Sequence, residues 1–261
     1  MRFSVLGSGS RGNATLVSAG TTTILIDAGF SAREITRRLA AIGRDPSAIA
    51  AILLTHEHRD HVSGAGVLSR ALRCPLHGNV ATCRAAEHII GRPHGIQEFD
   101  TGQEFAVGDL QIHPFSISHD CADPVGYVIE DGTSVFGYLT DTGRLTRLMY
   151  HHLRRCQALV LESNHDLGLL RDGPYPPPLQ QRVQSSRGHL ANGEAAAFLA
   201  ELAGAALSQV VLAHLSEVNN RPDLALAEAR AALADCERAP RLLVAAQGVP
   251  TAFLELEPER L

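Results

Sequence analysis

The chain has 261 residues, of which 45% are hydrophobic and 20% charged, with a formal net charge of -5. That balance excludes a disordered polymer, and no run reaches the roughly 18 consecutive apolar residues of a membrane span. All 23 cationic side chains are arginine and 13 residues are histidine, so the placement of the histidines is the informative question.

Strands are expected at Phe3–Leu6, Ala14–Val17 and Thr22–Ile26, separated by glycine turns. Ser31 caps an expected helix over Ser31–Ile42 that Gly43 ends. Ala50–Leu54 reads as a strand buried on both faces, and Val62–Leu72 and Asn79–Ile90 as helices. Four strands follow at Gln103–Val107, Leu110–Phe115, Val125–Glu130 and Ser134–Leu139, the last two joined by an Asp131-Gly132 hairpin turn. Arg144–Arg155, Ala191–Leu202 and Pro222–Cys236 read as helices. Strands at Ala158–Leu161, Gln209–Leu212, Leu242–Ala245 and Ala252–Leu256 complete the pattern. Each half runs strands first and then alternates, which predicts two mixed sheets packed face to face with helices outside, in one unit spanning 1–261. Arg171–Gly188 holds Pro174, Pro176, Pro177 and Pro178 and is expected to be a loop of little regular structure, of the kind that covers substrate.

Cysteines 74, 83, 121, 156 and 236 are odd in number and never form a CxxC pair, which fits a reducing compartment. The opening Met1–Leu6 breaks at Gly7 without the apolar run of a secretory leader, so the expected location is cytoplasmic.

The densest chemistry is Thr55-His56-Glu57-His58-Arg59-Asp60-His61, placed between a buried strand and a helix. His56 and His58 are two apart, so an extended strand end points both imidazoles to one side, and Asp60 and His61 sit at the helix entry. One metal centre cannot easily take all four from so short a segment, whereas two adjacent centres can. The helical H-E-x-x-H motif is ruled out because position 60 is Asp. The bland alternative is a polar turn with Asp60 as a helix cap. Further candidates end separate strands: His119, Asp141 and His214. Mixed imidazole and carboxylate donors suit zinc or manganese.

These residues, in this order, resemble the metallo-β-lactamase fold superfamily. More narrowly, Gly7-Ser8-Gly9-Ser10-Arg11-Gly12-Asn13-Ala14, Leu25-Ile26-Asp27-Ala28-Gly29, Glu162-Ser163-Asn164-His165-Asp166, Gly188-His189-Leu190 and Ala213-His214-Leu215-Ser216 resemble its YycJ/WalJ branch, over nearly the whole chain. The resemblance implies an α+β fold, a four-layer αββα sandwich. It implies two divalent ions, Zn²⁺ or Mn²⁺: His56, His58 and His119 hold the first, Asp60, His61 and His214 the second, and Asp141 bridges. It further implies a phosphodiester hydrolase, a DNA exonuclease acting on DNA in preference to RNA. A hydroxide shared by ions about 3.5–4 Å apart attacks. His189 protonates the leaving group, Glu162 orients His189, and Asp60 completes the catalytic set. Asp27 supports the ligands by hydrogen bonds.

Other residues keep two readings. Ser8, Ser10 and Asn13 form a glycine-rich loop that could cradle phosphate or close a tight turn; no Gly-Lys-Ser/Thr follows it. Asn164 and His165 could line the substrate groove, or His165 and Asp166 could cap a helix. Arg182 and Arg187, flanking the proline-rich segment, are candidates for bidentate phosphate contact, whereas Arg144, Arg147, Arg154 and Arg155 read as a solvated helix face. Competing functions are hydrolysis of a small ester, thioester or lactam in the same fold, and a non-catalytic regulatory metal-binding protein.

Overall fold

A computed structural model describes residues 1–204 and 206–256; positions 205 and 257–261 of the expected 1–261 unit lie outside the described residues. The first sheet contains β1 (Arg2–Gly7), β2 (Ala14–Ala19), β3 (Thr22–Ile26), β4 (Ile49–Leu53), β5 (Leu76–Asn79), β6 (Ile96–Phe99) and, from the far end of the chain, β14 (Leu254–Glu255). Its order is β14-β1-β2-β3-β4-β5-β6, antiparallel up to β3 and parallel beyond. The second contains β7 (Phe105–Val107), β8 (Leu110–Ser116), β9 (Val125–Glu130), β10 (Val135–Leu139), β11 (Ala158–Glu162), β12 (Gln209–Ala213) and β13 (Arg241–Val244), in the order β13-β12-β11-β10-β9-β8-β7. Here β10 to β13 are parallel and β7 to β10 antiparallel.

The period-2 alternation of each strand divides its side chains between two cores. Ile24 and Ile26 face inward with Val5, Val17 and Leu53, meeting Ile112, Tyr127, Ile129, Phe136 and Val160 of the opposite sheet. Phe3 and Phe136 touch across this interface with ring centroids 4.8 Å apart. Leu25, Leu16 and Ile52 face outward onto Ile35 and Leu39 of α1 (Ala32–Ala41), Leu68 of α3 (Ala65–Leu72) and Ala86 of α4 (Val80–Ile90). The outer face of the second sheet is covered by Met149 and Leu153 of α5 (Arg147–Leu153), Phe198 and Leu199 of α8 (Asn192–Leu202) and Ala225 and Ala229 of α9 (Pro222–Ala232). The result is the α+β, four-layer αββα sandwich.

Several expectations change in detail. The Val62–Leu72 helix is two pieces, α2 (Arg59–Val62) and α3, broken at Gly64, where a Cβ would lie 1.9 Å from the Phe30 carbonyl oxygen. Strands β5 and β6 were not expected: Leu76-His77-Gly78-Asn79 and Ile96-Gln97-Glu98-Phe99 lack β-branched runs, and parallel pairing beside β4 makes them strands. The C-terminal strand is only Leu254–Glu255 rather than Ala252–Leu256. The proline-rich segment, expected to be irregular, contains α7 (Pro177–Val183), just after α6 (Leu167–Asp172). Pro177 and Pro178 fall in the first turn of α7, where no intrahelical N–H bond is lost and their fixed φ suits a helix. No helix among the described residues is long and apolar enough to cross a membrane.

Candidate metal centre

The strand ends of both sheets meet at one edge, and the clustered residues sit there. Asp27 and His214 directly follow β3 and β12, and Asp141 follows β10 after Thr140, all three with left-handed backbone (φ 59°, 54° and 59°). Such a conformation costs a non-glycine residue of order 1–3 kcal/mol and turns each side chain back over its strand end. His56 follows β4 by a few residues, His58 is the N-cap of α2, and Asp60 and His61 lie in its single turn.

Four groups of donor atoms lie mutually within 4.8 Å: His56, His58 and His119; Asp60, His61 and His214; His56, His61 and Asp141; and Asp141, Glu162, His189 and His214. The seven residues named as ligands are therefore brought together, with Asp141 between the two histidine sets. Its Oδ2 is 3.3 Å from His61 Nε2, and its Oδ1 is 3.2 Å from His214 Nδ1. His119 Nε2 lies 3.3 Å from His58 Nδ1, and Asp60 Oδ2 3.6 Å from His214 Nε2.

The imidazoles are held from behind. His61 Nδ1 bonds Asp27 Oδ2 at 2.7 Å, His119 Nδ1 the Gly188 carbonyl at 3.1 Å, and His214 Nδ1 Glu162 Oε1 at 3.0 Å. The His56 Nδ1 pairs with Thr55 Oγ1 at 3.0 Å, and that hydroxyl donates to Asp27 Oδ2 at 2.8 Å. Rear partners of this kind orient metal-binding histidines and raise their basicity. Their front atoms converge, and three of the atoms so aimed, His56 Nε2, His214 Nε2 and Asp141 Oδ2, are buried without a hydrogen-bond partner. Buried polar atoms are rarely left unsatisfied, so orphans on converging imidazoles and a carboxylate fit a cation placed among them.

Charge supports the same reading. Burial raises the Asp27 carboxyl above its usual range despite His61. Burial would raise Asp60 and Asp141 too, but His61 and His214 outweigh it and hold both carboxyls low. In return, although burial opposes it, Asp141 leads the carboxylates that push His214 up to about 10, and His61 is raised by Asp141, Asp27 and Asp60. Buried carboxylates at this edge thus demand positive charge.

Glu162 is fully buried at the end of β11. Its Oε1 receives His189 Nδ1 at 2.7 Å as well as His214, and its Oε2 accepts the N–H groups of Thr142 at 2.9 Å and Leu190 at 3.2 Å. Burial disfavours this carboxylate, yet His189 and His214 hold its pKa below the usual range.

The expected substrate contacts come out differently. Ser8 and Asn13 are buried, and the loop closes as a tight turn. Ser8 Oγ donates to Asn13 Oδ1 and accepts the His214 N–H at 2.9 Å, while Asn13 Nδ2 reaches His61 Nε2 at 3.0 Å. Both residues are hydrogen-bonded into the cluster. Asn164 donates to the His214 carbonyl at 2.8 Å but also lines a cavity beside His189. His165 is buried, and Asp166, not His165, caps α6. Arg182 Nε is paired to Asp120 Oδ2 at 2.6 Å, and Arg187 Nε donates to the His119 carbonyl at 3.1 Å, so both tie the α7 segment to the His119 loop. Thr55, the hydroxyl joining Asp27 to His56, and Asp120 were missed; only their adjacency to His56 and His119 pointed to them. An open groove of 1060 Å³ between α5 and α8 holds none of the seven clustered residues.

Sandwich and site together define a metallo-β-lactamase-fold hydrolase. The family model described as "Beta-lactamase superfamily domain" matches residues 22–215. The chain is 36% identical over 227 residues to the exodeoxyribonuclease YycJ of Bacillus anthracis, covering 86% of each. It is 37% identical over 228 residues to the exodeoxyribonuclease WalJ of Streptococcus pneumoniae, covering 86% of this chain and 85% of the relative. The crystal structure of the metallo-β-lactamase fold protein YhfI from Bacillus subtilis superposes with a TM-score of 0.75 at 19% identity, covering 96% and 98% of the two chains. The protein belongs to the metallo-β-lactamase superfamily, within its YycJ/WalJ branch.

Proposed function

We propose that the protein is a metal-dependent exonuclease that hydrolyses phosphodiester bonds at the ends of DNA. The observation that carries this is the convergence of seven His and Asp ligand candidates, three with orphaned buried atoms, beside a His189–Glu162 pair. His56, His58 and His119 would hold one divalent ion and Asp60, His61 and His214 a second, with Asp141 shared. Such ions, Zn²⁺ or Mn²⁺, supply Lewis acidity toward a phosphoryl oxygen and activate water.

The chain's own groups do the rest. Glu162 accepts a hydrogen bond from the Nδ1–H of His189, which fixes the ring and leaves its opposite nitrogen to carry a proton toward the site. That nitrogen gives its proton to the departing alkoxide. Asp27, Thr55, Ser8 and Asn13 keep the imidazoles in place so that little reorganisation is needed. The likeness to named exodeoxyribonucleases supports DNA as the substrate class. The whole 1–261 chain acts as one unit, and its free cysteines fit the cytoplasm.

Purified protein, stripped of metal and reloaded with Mn²⁺ or Zn²⁺, should bind two ions per chain and release nucleotides from end-labelled DNA. Failure to cleave any nucleic acid or bis(p-nitrophenyl) phosphate with both sites loaded would overturn the proposal.

A further inference from the structure

Next to the histidine cluster, and touching it at His119, lies a cavity of 190 Å³. His119, Gly188 and His189 line it. One wall carries Tyr175, Leu179 and Val183 from the proline-rich segment and α7. Asn164, Ser10, Ser216 and the paired Asp120 and Arg182 line the cavity as well. Ring and aliphatic carbons therefore share the cavity with a carboxamide, hydroxyls and an ion pair. This is how a flat heteroaromatic ring is held, by its face on one side and its polar edge on the other. The cavity is smaller than the roughly 300–1,000 Å³ of pockets for drug-sized ligands, so it suits one ring system. Its wall is fixed: Arg182 at the end of α7 is paired to Asp120, and the His189 N–H bonds the Val183 carbonyl at 2.9 Å.

We propose that this cavity is a binding site for the base of the terminal nucleotide, with Tyr175 stacking on it and Asn164 meeting its edge. The inference rests on the exonuclease reading above, in which His189 protonates the departing oxygen. Because His189 lines the cavity, the base bound there belongs to the nucleoside that departs. In that hydrolysis a water oxygen bonds to phosphorus and sheds its proton to solvent. The bond from phosphorus to the departing sugar oxygen breaks, and the proton of His189 goes to that oxygen. A site with room for one base is filled most readily by the unstacked base at a chain end.

The test uses metal-loaded protein and single-stranded oligonucleotides whose end linkages are hydrolysis-resistant phosphorothioates, with 2-aminopurine at the 5′ end, the 3′ end or an internal position. Fluorescence of the terminal probe at one end should be quenched on binding. Tyr175→Ala should remove the quenching and weaken binding about tenfold, and Tyr175→Trp should keep both. In turnover, replacing the terminal base by an abasic residue should lower wild-type kcat/KM about tenfold, while Tyr175→Ala should treat the two substrates alike. Equal quenching in Tyr175→Ala, equal wild-type rates on the two ends, a variant that loses both substrates equally, or cleavage of closed circular single-stranded DNA would overturn the assignment. If the wild-type protein releases nucleotides but ignores the terminal base, the pocket fails alone; if it cleaves no DNA, the exonuclease reading itself fails.

Discussion

Glu162 Oε1 lies 2.7 Å from His189 Nδ1, and both residues are reached only by bringing the end of β11 under the residue that precedes Leu190 and α8. The carboxylate that turns His189 also backs His214 at 3.0 Å, so one buried acid ties the proposed proton donor to a proposed metal ligand.

Replacing His189 by Ala should lower kcat on DNA about 10²–10⁴-fold, the usual contribution of a positioned general acid. Metal content, measured by atomic emission, should stay at the wild-type level. On bis(p-nitrophenyl) phosphate the loss should be far smaller, because nitrophenolate departs without a proton. An equal loss on both substrates, or loss of metal, would assign His189 a different role.

Asp27 accepts from Thr55 N, Thr55 Oγ1 and His61 Nδ1. Asp27→Asn keeps the size and tolerates the left-handed backbone but replaces a double acceptor by one acceptor and one donor. Metal affinity, read by chelator competition, should fall about 10–100-fold. Unchanged affinity would mean that His61 is positioned without it.

Gly29 allows the loop after β3 to touch the ligand loop. A Cβ there would lie 1.7 Å from the Asp60 carbonyl oxygen and 2.7 Å from the Asn13 nitrogen, both backbone atoms that cannot rotate away. Gly29→Ala should destabilise the fold by about 1–3 kcal/mol or more and reduce metal binding, checked by denaturant unfolding and metal titration. A variant as stable as wild type would show that the two loops can part.

His152 lies against His113 and Phe115 on the outer face of the second sheet, with ring centroids 4.6 and 5.2 Å away. Burial, then His113, His151 and Arg155, push its pKa down from 6.5 to about 4. A folded-state pKa below the unfolded one means that the neutral ring is favoured by folding. Its contribution is full above pH 6.5 and declines as pH falls from 6.5 toward 4. His152→Phe should therefore flatten the dependence of Tm on pH in that window; parallel curves for the two proteins would contradict it.

By itself the sequence determined the layer architecture, through strand alternation and helix caps, and the ligand candidates, through a dense His/Asp segment and three strands ending in His or Asp. Those features are local: period, cap and strand end are written in neighbouring residues. Tertiary structure alone decided which polar groups brace the histidine cluster. Ser8 and His214 are far apart in the chain yet share a hydrogen bond, as do Asn13 and His61. It also made Leu76–Asn79 and Ile96–Phe99 strands, because ladder partners rather than propensity paired them. The proline-rich segment contains a helix that lines a cavity, and Arg182 and Arg187 tie that segment to the His119 loop. Long-range pairing of this kind depends on which surfaces meet when two sheets close on each other, and no local pattern encodes it.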